Sequence, residues 1–301
     1  MILGHEAIQD RLRRAVERRC AAQTYLFVGP ESVGKLAVAL DFAKSLLGSD
    51  SLSDCTVIRP ERVEEKGRVK EMPISVKTIR VATRALGLSG SAGTGTVLIV
   101  NDAHKMSEGA QNAFLKTLEE PFPGTTIILV THDEGSILST ILSRCERVSF
   151  ALVARDLIDA QFPDVLDAIR RLGRPGLCVS FRDRPDEFSE YVRRLEQLQS
   201  FSSLPMSDRV LLADACVNDI AGAERLLAWW MSALSQELSS SISMTEKLEK
   251  LRFLGDLLAT LRDLRRFPGS ARLIVEQLFF FRRGASLLFP RTLTQSGFPR
   301  S

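Results

Sequence analysis

With 301 residues, 45% hydrophobic and 26% charged, the chain has the composition of an ordinary globular protein. Its length allows about two or three domains, each able to bury a core without metals or disulfides. A net charge of +3 is too small to argue by itself for nucleic acid or a membrane surface. The five cysteines are odd in number and widely spaced, with no CxxC pair, which argues against a disulfide framework or a closed zinc site and predicts a reducing compartment. The first residues lack the pattern of a signal peptide, and no apolar run approaches the roughly 18 residues that span a bilayer. A cytoplasmic protein without membrane contact is expected.

In chain order, Glu6 to Arg19 reads as a helix, with Ile8, Leu12 and Val16 recurring every fourth residue. Tyr25-Leu26-Phe27-Val28 is a short apolar run closed by Gly29-Pro30, the pattern of a buried strand ending in a turn. Lys35 to Leu47 is helical, Thr56-Val57-Ile58 is strand-like and stops before Pro60, and Val76 to Leu86 is a helix. Thr96-Val97-Leu98-Ile99-Val100 is the clearest buried strand. Ser107 caps a helix that runs to Glu120 and is stopped by Pro121. Thr125 to Thr131 is a β-branched strand, Ile137 to Leu142 a short helix, and Val148 to Phe150 a last strand. This alternation predicts an α/β domain over residues 1–150, with a parallel sheet covered on both faces.

The remainder shows no strand run. Leu152 to about Phe201 carries short charged helices punctuated by Pro163, Pro175 and Pro185. Pro205 separates a second helical region, Ser207 to about Arg283, which is broken at Pro268-Gly269. Ser239-Ser240-Ser241 reads as a loop and the tail after Gly284 as irregular.

Gly29-Pro-Glu-Ser-Val-Gly34-Lys35 fits G-x-x-x-x-G-K between a buried strand and a helix. Glycines let backbone N–H groups close around phosphate, the helix N-terminus adds partial positive charge, and the lysine neutralises outer phosphates. The next residue should be Ser or Thr, whose hydroxyl ligates Mg²⁺. Here it is Leu36, which cannot. A second acidic motif should end a buried strand, yet Val97–Val100 leads into Asn101-Asp102-Ala103-His104. Asn101 removes a charge from the metal shell, and Asp102 is shorter than the glutamate expected there. The nucleotide site, comprising Gly29, Gly34, Lys35, Asp102 and, at the end of a core strand, Thr131, therefore reads as degenerate. The competing reading is that Asp102 alone compensates. His104 and His132 read as loop histidines.

Leu26-Phe27-Val28-Gly29-Pro30, Gln111-Asn112-Ala113-Phe114-Leu115-Lys116-Thr117-Leu118-Glu119-Glu120-Pro121 and Ile141-Leu142-Ser143-Arg144-Cys145 together resemble the bacterial clamp-loader AAA+ subunits of DNA polymerase III over about residues 1–180. The resemblance implies an AAA+ P-loop base over 1–150, a helical lid over 151–204 and an all-α collar over 205–301. The degenerate phosphate loop and Ser143-Arg144-Cys145 look more like the non-hydrolysing delta-prime stator than the gamma/tau motor. Gly173-Arg174-Pro175-Gly176 is similar to the delta-prime lid, with Gly176 where the motor carries a nucleotide-sensing arginine. The family's four-cysteine zinc module is replaced by the short linker Leu47–Cys55, so no zinc is expected; given the degenerate phosphate loop, no nucleotide cofactor is expected either.

By the same resemblance, Arg144, flanked by Ser143 and Cys145, acts as an arginine finger on a neighbouring subunit's nucleotide, an effect worth about 10³–10⁵ in rate. The alternative is an ordinary surface arginine. Implied partners are gamma/tau and delta subunits, the sliding clamp and, through the assembly, primed DNA. The alternatives are an active gamma/tau-like ATPase and a stand-alone DNA-binding protein of this fold. Arg13, Arg14, Arg18 and Arg19 suit DNA phosphates or, equally, a solvated helix face. Leu226–Met231 and Leu278–Phe281 are apolar at consecutive positions, so one side of each helix is expected to meet the domain core and another a partner subunit, the alternative being a small, tightly buried bundle.

Overall fold

Successive residues of a strand point to opposite faces, so a strand that is apolar throughout needs cover on both. The computed structural model describes residues 2–65, 68–89, 95–184, 205–218, 220–238 and 243–280. Its strands in chain order are β1 (Thr24–Val28), β2 (Cys55–Ile58), β3 (Glu61–Glu65), β4 (Arg68–Met72), β5 (Thr96–Asn101), β6 (Thr125–Thr131) and β7 (Glu146–Ser149). Five of them form one parallel sheet in the order β2-β5-β6-β1-β7. Tyr25, Phe27, Ile99, Ile128 and Val130 face α1 (Glu6–Glu17) and α2 (Lys35–Leu47), packing with Leu12, Val38 and Phe42. The alternate residues Leu26, Val28, Leu98, Val100, Ile127 and Leu129 form the opposite core. That side is covered by α3 (Val76–Ser89), α4 (Glu108–Glu119) and α5 (Ser139–Leu142), through Ile79, Phe114 and Ile141.

The predicted parallel sheet with helices on both faces is thus present, with shifted element ends. α1 stops at Glu17, α5 starts at Ser139 after a 3-10 turn over Glu134–Ser136, and β7 starts at Glu146 and ends at Ser149. Ser107 does cap α4, its side chain accepting the Ala110 N–H at 3.2 Å. The antiparallel hairpin β3–β4 has no counterpart in the sequence reading. Its strands are charge-rich and form a two-stranded sheet of their own, so no run of apolar residues marks them.

The chain divides into two units. The first is Met1–Val153 together with Arg174–Gly176, and the second is Ala154–Gly173 together with Leu177–Ser301. Helices in the rest of the chain are α6 (Arg155–Gln161), α7 (Asp167–Arg170), α8 (Pro175–Asp183), α9 (Met206–Asn218), α10 (Ile220–Leu238), α11 (Met244–Arg266) and α12 (Ala271–Phe280). α11 opens with a capping box between Ser243 and Glu246, and a 3-10 turn at Pro268–Ser270 separates it from α12. Leu226, Leu227, Trp230 and Leu278 are buried, and the Trp230 ring meets Phe253 edge-on at 4.7 Å. The segment 185–204, the serine loop at 239–241, Phe281 and the tail after Gly284 lie outside the described residues. Among the described residues, no helix is long and apolar enough to cross a membrane.

Candidate nucleotide site and arginine edge

The loop from β1 into α2 has the backbone of a phosphate cradle. Gly29 (φ 151°) has no room for a side chain, since a Cβ would lie 2.3 Å from the Phe150 carbonyl oxygen. Gly34 sits at φ 107° immediately before α2, so Lys35 is the first residue of that helix. Ser32 is a non-glycine residue at φ 61°. His5 holds the loop from the other side through its Nε2, 3.0 Å from the Val33 carbonyl oxygen, a contact that sequence reasoning missed.

Lys35 turns back on its own loop. It is buried, and its Nζ donates to the carbonyls of Gly29, at 2.7 Å, and of Pro30. Burial pulls its pKa down to about 8; Glu31 and Asp102 oppose the shift, and the Arg174 guanidinium adds to it. Arg174 is itself buried, and burial lowers its pKa to about 10 against the attraction of Glu31.

The two positions expected to serve magnesium carry a leucine and a neutral amide. Leu36 packs into the core shared by α1, α2 and the sheet. Asn101, at the end of β5, donates from Nδ2 to Asp102 Oδ2 at 3.0 Å, so its amide braces that carboxylate. A magnesium ion bridging nucleotide phosphates needs oxygen ligands close to octahedral geometry. Leu36 offers no oxygen, and Asn101 offers only its neutral Oδ1 where a carboxylate is expected, a poorer set for that requirement.

Thr131 ends β6 fully buried, with its hydroxyl among local groups. It donates to the Asp133 carbonyl and accepts the Asp133 N–H, both at 3.0 Å, and lies 3.3 Å from His104 Nδ1. The two histidines read as loop residues in fact touch, with ring centroids 4.0 Å apart in an edge-on contact. Burial lowers both pKa values; for His132, with His104 and Lys35 adding to the effect, the value falls to about 4. Both rings are therefore neutral at pH 7.

Gly176 approaches the phosphate loop directly. Its N–H donates to the Ser32 carbonyl at 2.8 Å, and a Cβ there would meet the same oxygen at 2.8 Å. Whatever residue occupies this position must lack a side chain, or the contact opens.

Arg144 is set apart from these groups. It lies two residues before β7, whose Glu146 pairs in register with Tyr25 near the start of β1, whereas the phosphate loop follows the other end of β1. In a parallel sheet these are opposite edges, separated by about 10–13 Å of strand. The half-exposed side chain donates through Nη2 to Glu119 Oε1 of α4 and through Nη1 to the Thr140 carbonyl, both at 2.7 Å, with Ser143 Oγ at 3.3 Å. Of its five donors, Nε–H and one Nη2 hydrogen remain for another acceptor. Cys145 donates its thiol to the Ile141 carbonyl, and burial pushes its pKa up to about 12, so it is a packing residue. Gln111 reaches the segment before α5 from α4. Its Nε2 donates to the carbonyls of Met106 (3.4 Å) and Ser136 (3.0 Å), and its Oε1 accepts the Leu138 N–H at 2.8 Å. The long helix motif thus includes a residue that ties α4 to the arginine edge. Among the helix arginines, Arg13 forms an exposed ion pair with Asp10.

A parallel sheet carrying a G-x-x-x-x-G-K loop between its first strand and the following helix, with helices on both faces, defines an AAA+ P-loop fold. A family model described as DNA polymerase III, delta subunit, matches residues 4–154. The tau subunit of Bacillus subtilis is 27% identical over 303 residues, 93% of this chain and 48% of that protein. The delta-prime subunit of Pseudomonas aeruginosa is 30% identical over 136 residues, 41% of this chain and 42% of that one. That of Bacillus subtilis is 29% identical over 152 residues, covering 48% and 46%. The chain spans less than half the length of these curated relatives. A gamma-subunit-related protein of Thermotoga maritima shares the fold at a TM-score of 0.51 and 22% identity, over 90% of this chain and 97% of that one. The chain belongs to the DNA polymerase III clamp-loader AAA+ family.

Proposed function

We propose that this chain is a stator of a clamp-loader ring, of the delta-prime kind: it turns over no nucleotide itself and offers Arg144 to the ATPase site of a neighbouring subunit. The observation that carries the reading is the separation of cation from cradle. Arg144 lies at the sheet edge opposite its own phosphate loop, so a phosphoryl group within its reach belongs to another chain. The loss of both magnesium positions, at Leu36 and Asn101, supports the same division of labour. Arg suits the role because its guanidinium is always charged and presents a rigid fork that matches phosphate oxygens. The expected partners are gamma/tau and delta subunits, with the clamp and primed DNA engaged by the assembly, in the cytoplasm. The four-cysteine zinc module and a bound nucleotide are not part of this reading.

The test is clamp- and DNA-stimulated ATP hydrolysis by a ring reconstituted from this chain and the host's motor and delta subunits. Arg144→Ala should lower hydrolysis by about 10³-fold or more if every turnover uses this finger, with assembly intact by gel filtration. Unchanged hydrolysis in an intact ring would exclude the finger. The match to a tau subunit over 93% of the chain keeps a second reading in view, an active motor. Magnesium-dependent ATP turnover by the isolated chain would establish that reading instead.

A further inference from the structure

Two of the chain's three histidines meet at the carboxyl end of the sheet. His104 lies in the 3-10 turn just after β5, and His132 follows β6 directly. β5 and β6 are paired neighbours, so the topology itself delivers both rings to one place. Asp102 joins them from the end of β5, and one ligand atom from each of the three residues lies within 4.8 Å of the others.

Thr131 holds the His104 ring by its Nδ1. A hydroxyl has one proton, and that of Thr131 goes to the Asp133 carbonyl. With that proton on the Asp133 carbonyl, the tautomer in which the ring donates the 3.3 Å contact from Nδ1 has its lone pair on Nε2. An imidazole whose second nitrogen donates to a fixed oxygen is the usual way a protein orients a metal-ligating histidine. Asp102 is braced likewise, by the Asn101 amide on Oδ2. The amide that spoils a magnesium shell here serves as an orienting group.

We propose that Asp102, His104 and His132 form a binding site for a borderline divalent cation of the zinc class, occupied without nucleotide. Two imidazoles and one carboxylate match the preference of Zn²⁺, Co²⁺ or Ni²⁺, whereas Mg²⁺ demands a shell of oxygens. Bonds of 2.0–2.2 Å put tetrahedral ligand atoms about 3.3 Å apart, so closure needs movements of at most about 1.5 Å. Three protein ligands leave a position open for water or an anionic oxygen. The site uses neither residue 36 nor residue 101 as a ligand, and it stands whether or not Arg144 serves a neighbour.

The experiment is calorimetric titration of the chelator-treated full-length chain with Zn²⁺, paired with Co²⁺ absorption to report ligand type. The wild type should bind one equivalent at this site, with a nitrogen- and oxygen-ligated cobalt spectrum. His132→Gln and Asp102→Asn should each weaken that equivalent ten-fold or more, with far-UV circular dichroism unchanged. Thr131→Val, which removes no ligand, should weaken it by about 10- to 100-fold by releasing the His104 ring. Cys20→Ser should leave it intact, since Cys20 is the exposed free thiol that could bind zinc elsewhere. Equal affinity in His132→Gln and wild type, loss only in Cys20→Ser, or no binding at all would overturn the proposal.

Discussion

Replacing Gly176 by alanine sets two effects of opposite sign against each other. Gly176 is the second residue of α8, and glycine in a helix interior is less favourable than alanine by about 0.8–1.0 kcal/mol. Propensity alone therefore predicts a more stable protein. The contact with the phosphate loop predicts the reverse. The new Cβ would stand 2.8 Å from the Ser32 carbonyl oxygen and 3.3 Å from its carbonyl carbon and Cα, all backbone atoms with little room to move. Overpacking of this kind costs about 1–3 kcal/mol, and breaking the 2.8 Å hydrogen bond from Gly176 to Ser32 removes about 0.5–1.5 kcal/mol more. The net expectation is a loss of about 0.5–3.5 kcal/mol. Gly255→Ala is the internal control: it lies inside α11 and a Cβ there meets nothing within 4 Å, so it should gain up to about 1 kcal/mol. Urea unfolding followed by far-UV circular dichroism reads both midpoints, with the m-value checked for constancy. Amide hydrogen exchange over residues 29–36 then locates the loss in the phosphate loop. Gly176→Ala as stable as the wild type, beside a normal Gly255→Ala, would refute the close approach.

Gln111→Ala should cost about 2–3 kcal/mol, because it strands the Leu138 N–H and two carbonyls that the amide satisfies. The same variant should speed hydrogen exchange across residues 136–144, the segment leading to Arg144. Lys35 carries a pKa of about 8 against 10.5 in an ordinary environment, so between these pH values the unfolded chain holds the extra proton and stability should rise with pH. The contribution is at most ~3 kcal/mol, absent above pH 10.5 and fully expressed as a penalty below pH 8. Lys35→Met should flatten that rise, measured as the difference between the two proteins' urea midpoints across pH 7.5–10.5. The triple variant Leu36→Thr, Asn101→Asp, Asp102→Glu should gain magnesium-dependent ATP binding, followed with a fluorescent nucleotide. A wild type that already binds Mg-ATP as tightly would contradict the account of a disabled metal shell.

Much of the fold was legible because burial writes a one-dimensional signal. Tyr25–Val28, Thr96–Val100 and Thr125–Thr131 are apolar on both faces, and only a covered parallel sheet accommodates that. The hairpin β3–β4 was not legible, because Glu61–Glu65 and Arg68–Met72 are charge-rich and carry no apolar run. In the site, the residue types at 36 and 101 revealed the missing ligands directly. What Leu36 does instead, packing against the edge of a core, required coordinates. The pairing of His104 with His132 was out of reach for a different reason. Residues 28 positions apart meet only because β5 and β6 are neighbours, and strand order follows from no local pattern. The hold of Gly176 on Ser32 is likewise a property of tertiary approach, as is the grip of Glu119 on Arg144.

The first unit is discontinuous, and this matters while the chain is being made. Its sheet is complete in sequence by Ser149, but Arg174–Gly176 belong to it as well. Chains lengthen at about 5–20 residues per second, so the ribosome takes roughly 1–5 s to pass from Val153 to Gly176. Through that interval the Ser32 carbonyl has no Gly176 N–H to accept, and Arg174 has not yet reached Glu31 and Lys35. The nascent protein thus passes through a stage in which its sheet can form around a phosphate loop not yet closed, and the loop's final shape waits for a segment made after the sheet.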